Sequence, residues 1–290
     1  MKLFSLLLVH SLLAALAYSP SRAELGSDKR LLFLFDKIEV LGEVDVFLTQ
    51  GKRLRECTVY ADKEILSSVR TQVVNRTLFI DANNTYALGR RLPFLRLNAK
   101  RTFPVEVIVS VRDLEEIALT GAGNLTASGI RANRLRLFAS GAGRLHLERF
   151  SAQRLEVVHH GTGPIVLKGP PVPPLPEMTA TLAGSGPLLA GELPTQKVTL
   201  HHHDRAPAYL APIDLLDARI RAQGNVFLTR RPRRNLIQTA GAGAVLDALP
   251  TAVPLYDANA TRPALAPRQN VERGPEAANA PTLPTPPVAP

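Results

Sequence analysis

The sequence contains no tryptophan, one cysteine and two methionines, and aromatic residues fill only 5% of its 290 positions. Hydrophobic residues still reach 45%. A core can therefore form, but it must be aliphatic, and narrow stacked layers of Val, Leu and Ile suit it better than a globule built on large rings. The lone cysteine, Cys57, excludes an intrachain disulfide, so packing alone must hold the fold. It stands in the strand-like stretch Glu56-Cys57-Thr58-Val59-Tyr60 and reads as a buried, inert thiol. Long hydrophobic runs are missing beyond the N-terminus, so no transmembrane helix is expected in the body of the chain. Acidic residues are also scarce, 25 against 35 Lys and Arg, for a formal charge of +10.

That scarcity bears on catalysis. Glycan-cleaving chemistry needs paired carboxylates, or carboxylates that hold calcium. Here Glu115, Glu116, Glu148, Glu156, Glu177, Glu192, Asp204, Asp214, Asp217 and Asp247 are scattered along the chain. Ser140 precedes Gly141, but not in the strand-turn-helix setting of a nucleophile elbow. No catalytic residue and no cofactor are assigned. A glycan-active lyase or hydrolase on the same scaffold remains the alternative reading.

At the N-terminus, Lys2 and the apolar stretch Leu3 to Ala17 lead to Ser21-Arg22-Ala23. This pattern predicts a secretory signal peptide over residues 1–23, cleaved after Ala23, with an uncleaved membrane anchor as the rival. Loss of Lys2 and Arg22 takes the charge from +10 to +8. At the other end, residues 251–290 are rich in Pro and Ala, lack periodicity and are expected to be disordered. Residues 24–250 form the expected folded domain.

Within that domain one mark recurs, a pair of glycines around a single small residue. It occurs at Gly121-Ala122-Gly123, Gly141-Ala142-Gly143, Gly161-Thr162-Gly163, Gly184-Ser185-Gly186 and Gly241-Ala242-Gly243. The first steps are 20 residues long, and the next is 23 because it contains the insert Pro170-Pro171-Val172-Pro173-Pro174. Counting on by 20 reaches Asp204, where the glycine is lost, and Gly224, which reads as the surviving first half of a pair. Four residues before each landmark stand Ile117, Leu137, Val157, Ala180, Leu200, Ile220 and Ile237. Four residues after stand Leu125, Leu145, Ile165, Leu188, Ala208, Leu228 and Val245.

Such a period argues for a repeat architecture. Each repeat reads as two short strands joined by a glycine bend, stacked on its neighbours ~4.8 Å apart. A parallel β-helix-like solenoid follows, with a β-sandwich as its rival. Upstream, Ile38, Val40, Val44, Val46 and Leu48 share one parity around a bend at Gly42, and Thr77 to Ala82 and Val105 to Val111 also alternate. Glu64 to Val73 reads equally as a helical turn or a strand, and residues 83–102 as a polar loop or widened coil.

The opening Phe35-Asp36-Lys37-Ile38-Glu39-Val40, Gly42-Glu43-Val44-Asp45-Val46 and Gln50-Gly51 resembles the start of a bacterial family, the putative auto-transporter adhesin, head GIN domain. So do Leu114-Glu115-Glu116-Ile117 before Gly121-Ala122-Gly123, the serial glycine coils, and Gly224-Asn225-Val226-Phe227 before Pro232. The likeness spans roughly residues 33 to 248. It implies a right-handed β-helix-like fold, an exported periplasmic or cell-surface location in a bacterium, and an adhesin-like role without enzymatic activity. The chain departs from the pattern at His201-His202-His203-Asp204 and in the Pro-rich insert.

Two constellations carry chemistry. His159-His160 and His202-His203 take matching offsets two coils apart, ~9.6 Å between equivalent Cα atoms. His160 and His203 are the metal-ligand candidates, although neighbours on a strand point to opposite faces and no metal site is assigned. The coil at Asp204 is the expected first place of contact with a ligand. The second constellation is basic: Arg230, Arg231, Arg233 and Arg234, with Arg90-Arg91 and Lys100-Arg101 elsewhere. On an exported solenoid these suit anionic envelope glycans or lipid headgroups. Nucleic acid is not expected, since aromatics for base stacking are scarce.

Overall fold

The computed structural model describes residues 25–51, 56–82, 85–87, 100–102, 104–170 and 172–248. The expected signal peptide over residues 1–23, the tail at 251–290 and Arg90-Arg91 lie outside the described residues. Nearly every described element is a strand; a 3-10 turn at Leu66–Ser68 is the one helical piece among them.

The strands stack in two parallel ladders joined at the glycine bends, and a β-solenoid results. The first ladder runs through Lys37–Val40, Glu116–Leu119, Arg131–Ala139, Ser151–His159 and Leu175–Leu182, then the second halves of the long strands Leu188–His202 and Ala208–Ile220, and ends at Arg234–Thr239. The second ladder runs through Asp45–Gln50, Leu125–Ser128, Leu145–Glu148, Ile165–Lys168, the first halves of the same long strands, Val226–Leu228 and Val245–Asp247. Inward side chains form aliphatic columns. Ile117, Leu137, Val157, Ala180 and Leu200 make one of them and are fully buried.

The glycines serve close approach rather than unusual dihedral angles. A Cβ on Gly121 would stand 2.2 Å from the Gly42 carbonyl oxygen, one on Gly141 1.8 Å from that of Gly121, and one on Gly143 1.7 Å from that of Gly123. None of the paired glycines has a positive φ; that role falls to Gly129 at a corner, with φ +70°. Removing the Cβ lets each bend lie directly on the one before. The second glycine then donates its N–H to the first carbonyl of the preceding bend, as from Gly143 to Gly121 and Gly163 to Gly141, both 3.3 Å.

The register corrects two sequence assignments. Ala218, not Ile220, follows Leu200 in its column, and Val226, not Leu228, follows Ala208. Consequently Gly224 is the second member of its pair, with Ala222 as the first: a Cβ on Gly241 would strike the Ala222 oxygen and one on Gly243 the Gly224 oxygen. The physical reason is a shortened coil. The register shift between Ala190 and Pro194 drops residues at the corner and the one between Thr195 and Lys197 restores part of the loss, so Lys197 pairs with Leu215.

The start of the solenoid is not laid down in sequence order. The coil containing Ile38 and Val46 lies between two later segments. On one side are Thr77–Ala82 and Glu106–Val111, with Ile38 on Leu78 and Val46 on Val107. On the other are Glu116–Leu119 and Leu125–Ser128. Antiparallel strands Leu25–Leu31, Glu56–Asp62 and Val69–Val74 close this end. The ambiguous stretch after Glu64 thus supplies both a turn and a strand. A two-residue turn at Asn75-Arg76, φ 49° and 64°, joins Val69–Val74 to Thr77–Ala82. Both positive angles match the twist-compatible hairpin turn. Arg76 Nε also donates to the buried Asp36 carboxylate at 2.7 Å. Within 83–102, Thr85–Ala87 pairs with Lys100–Thr102, so part of that stretch is a small hairpin. Cys57 is buried beside Thr71, and burial pushes its thiol above the ordinary value, in keeping with an unreactive group.

Two alanine substitutions separate contact from conformation. Gly143→Ala forces a Cβ onto a backbone oxygen and should cost about 3 kcal/mol or more, or prevent folding. Gly129→Ala meets nothing within 4 Å and should cost only about 1 kcal/mol for its left-handed backbone. Urea unfolding of the two variants checks the order; equal losses would show that the paired glycines are not contact-limited.

Candidate functional site

His159 and His202 are fully buried in one inward column, separated by Leu182. His160 and His203, the metal candidates, point outward and are exposed. The structure therefore does not bring these four rings together, and among the described residues no group of three His, Cys, Asp or Glu side chains could hold a metal ion.

The buried pair brace the bends. His159 Nε2 stands 2.9 Å from the Gly163 carbonyl oxygen and His202 Nε2 3.0 Å from that of Ala206, each spanning four residues. A carbonyl can only accept, so Nε2 carries the proton in both rings. Burial pushes both imidazoles below their usual value, against an opposing contribution from those carbonyls. Gly224 makes room for the second ring, since a Cβ there would stand 2.1 Å from His202 Cε1.

Asp204 explains how one bend does without glycine. In the coils around it, the second landmark residue donates its N–H to the preceding bend. Here that donor, Ala206 N–H, is accepted by Asp204 Oδ1 at 3.1 Å. The carboxylate lies 3.4 Å from His202 Nε2. Burial raises its pKa from 3.8 to about 6, despite the Ala206 N–H and the nearby His203. Asp204 Oδ2 and His202 Nδ1 stay buried without a hydrogen-bond partner among the described residues, and only His203 and Arg205 of this bend face solvent.

All four arginines of the basic cluster are exposed. Arg231 Nε donates to Asp247 Oδ2 at 2.6 Å, and that carboxylate is fully buried in the interior column of the last coil. Arg233 lies 3.4 Å from Asp214. Arg230 and Arg234 have no ion pair among the described residues and are the cations left for a ligand.

The two outer faces differ in chemistry, a contrast the sequence reading missed. On the first ladder Arg136 sits between Glu116 at 3.9 Å and Glu156 at 3.6 Å, while Glu177 joins Arg154 at 3.0 Å and Lys197 at 3.2 Å. Lys197 and Arg154 hold the Glu177 carboxyl below its usual range. The carboxylates of the repeats are thus largely neutralised by cations one coil away. The outer column of the second ladder is mostly apolar: Ile108 and Phe47, then Thr126 and His146, then Val166, Leu189, Tyr209, Phe227 and Leu246. The signal was available, as apolar residues recurring at the outward parity.

The buried titratable groups oppose one another. Depressed histidines contribute stability above about pH 6.5 that is lost as pH falls; the raised Asp204 contributes stability at low pH that is lost as pH rises from 3.8 through about 6. Asp204→Asn removes the second effect. Relative to the parent it should gain on the order of 2–3 kcal/mol between pH 4 and pH 7, read as urea midpoints across that range. A pH-independent difference would contradict the buried-acid account.

No functionally curated protein matches the chain. Among solved structures, a putative adhesin from Bacteroides fragilis superposes with a TM-score of 0.65 at 18% identity, covering 79% of this chain and 98% of that one. A putative lipid binding protein from Parabacteroides distasonis gives 0.57 at 16%, covering 78% and 98%. A putative adhesin from the same species gives 0.54 at 18%, also covering 78% and 98%. These likenesses establish the shared fold. The family model described as putative auto-transporter adhesin, head GIN domain, matches residues 34–232, and the chain belongs to that family.

Proposed function

We propose that this protein is an exported, non-enzymatic binding module of the bacterial envelope, adhesin-like, whose stacked coils present a stiff surface to an anionic envelope glycan. The observation that carries this reading is the use of the carboxylates. On the repeat face they are tied up in inter-coil ion pairs, while Arg230 and Arg234 stand unpaired near the end of the solenoid. A surface with neutralised acids and guanidinium groups free of ion pairs among the described residues suits an anionic polymer. The N-terminal segment of signal-peptide character and the family's adhesin description support the location. Lipid headgroups of the same charge are the competing partner.

Fractionation of a bacterium expressing the full chain should place it in the periplasm or at the surface; retention in the cytoplasm would overturn the location. Purified protein should bind an anionic envelope polysaccharide at low salt and release it as ionic strength approaches ~0.3 M. Arg230→Ala with Arg234→Ala should weaken binding about tenfold without lowering thermal stability. Arg231→Ala is a poor substitute, because it also removes the guanidinium that pairs with the buried Asp247. Salt-insensitive retention, new reducing ends or unsaturated products would each count against the proposal.

A further inference from the structure

On the apolar outer face the second ladder opens into a groove of about 580 Å3 whose lining includes Arg144, His146, Val166, Leu189, Gly191 and Tyr209. That volume lies within the range of small-molecule sites. His146, Val166, Leu189 and Tyr209 are consecutive members of one outward column. Three steps of ~4.8 Å make the groove ~14 Å long. Phe227 covers one face of the Tyr209 ring, centroids 4.9 Å apart and planes 17° from parallel. The opposite ring face is turned toward Leu189 and the groove.

The strand shifts register between Ala190 and Pro194 at this point, and Gly191 lets Thr229 pack close beneath the groove, since a Cβ there would lie 2.8 Å from Thr229 Cγ2. The charges are asymmetric. Lys168 and Glu192 at one lip pair at 3.0 Å and cancel. The Arg144 guanidinium has no ion pair among the described residues, which leaves one uncompensated positive charge at the end beside His146. His146 bounds this end of the groove; its Nε2 is shut off from solvent and has no hydrogen-bond partner among the described residues.

We propose that this groove binds a single-chain amphiphile with one negative charge, such as a free fatty acid. The hydrocarbon chain lies along Val166, Leu189 and the open face of Tyr209. The anionic head sits at Arg144 and His146. The Val166 and Leu189 side chains along the column offer no partners to a sugar's hydroxyls, which would lose water against them. A walled groove of this size takes one chain rather than the plane of a bilayer. Neither Arg230 nor Arg234 lines the groove, although Thr229 beside Arg230 does, and the Arg144→Ala variant separates amphiphile binding from glycan binding.

Calorimetric titration of the full chain with decanoate, decanol and decyltrimethylammonium, each below its micelle concentration, tests the assignment. Decanoate should bind saturably at one site, and the cationic amphiphile about tenfold more weakly or not at all. Arg144→Ala should weaken decanoate about tenfold and leave decanol unchanged. Tyr209→Ala should weaken both, with melting curves confirming that each variant folds. Absence of saturable decanoate binding, equal affinity for the cation, or indifference to Arg144→Ala would overturn the proposal. Co-sedimentation with phosphatidylglycerol vesicles without uptake of free decanoate would also overturn it, in favour of a membrane surface.

Discussion

Backbone lies directly on backbone at every glycine bend, and the solenoid depends on that approach. The carbonyl oxygen of one bend occupies the space where a Cβ of the next would project. At this spacing the second N–H of each bend reaches the first carbonyl of the bend before it. The aliphatic columns on both sides follow, since strands leaving a shared bend can pair only at the spacing the bend imposes. Wide aromatic rings would not suit such a narrow interior, which agrees with their scarcity in the chain. Where glycine is absent, at Asp204 and Ala206, a carboxylate takes over the orphaned donor and the adjacent histidine braces the next carbonyl.

Much of this was legible because periodicity is a local property. The parity of Ile38, Val40, Val44, Val46 and Leu48 around Gly42 predicts a coil, and all five side chains are buried. The glycine pairs at Gly121, Gly141, Gly161 and Gly184 predict the stacked bends. Counting failed at Gly224 because a coil can lose residues at a corner without disturbing the apolar alternation that announces it. The place of the Ile38 coil was illegible for a related reason. Strands of equal period carry no label saying which later strand will lie beside them, so Leu78 and Ile117 are equally good neighbours for Ile38 on paper.

The candidate sites were less readable. Doublets of histidine on a strand must split between inside and outside, and the parity of Val157 and Leu200 assigns His159 and His202 to the interior, a step the reading of His160 and His203 as ligands did not take. The structure buries His159 and His202 as braces and exposes His160 and His203. The arginine cluster was visible as composition, whereas its division into Arg231 and Arg233, which answer carboxylates, and Arg230 and Arg234, which do not, depends on Asp247 and Asp214 arriving from distant strands.

The position of the Ile38 coil has a consequence for how the chain is made. A polypeptide emerging N-terminus first exposes this coil with both of its flanks bare. One flank waits for Leu78 and the other for Ile117, so the earliest repeat is enclosed only after Leu125–Ser128 has emerged. The same placement also makes the two ends of the rod unequal. Trimming from the C-terminus removes coils in spatial order, whereas deleting the first fifty or so residues would take a coil out of the middle of the stack and leave a gap between two pieces built to touch it.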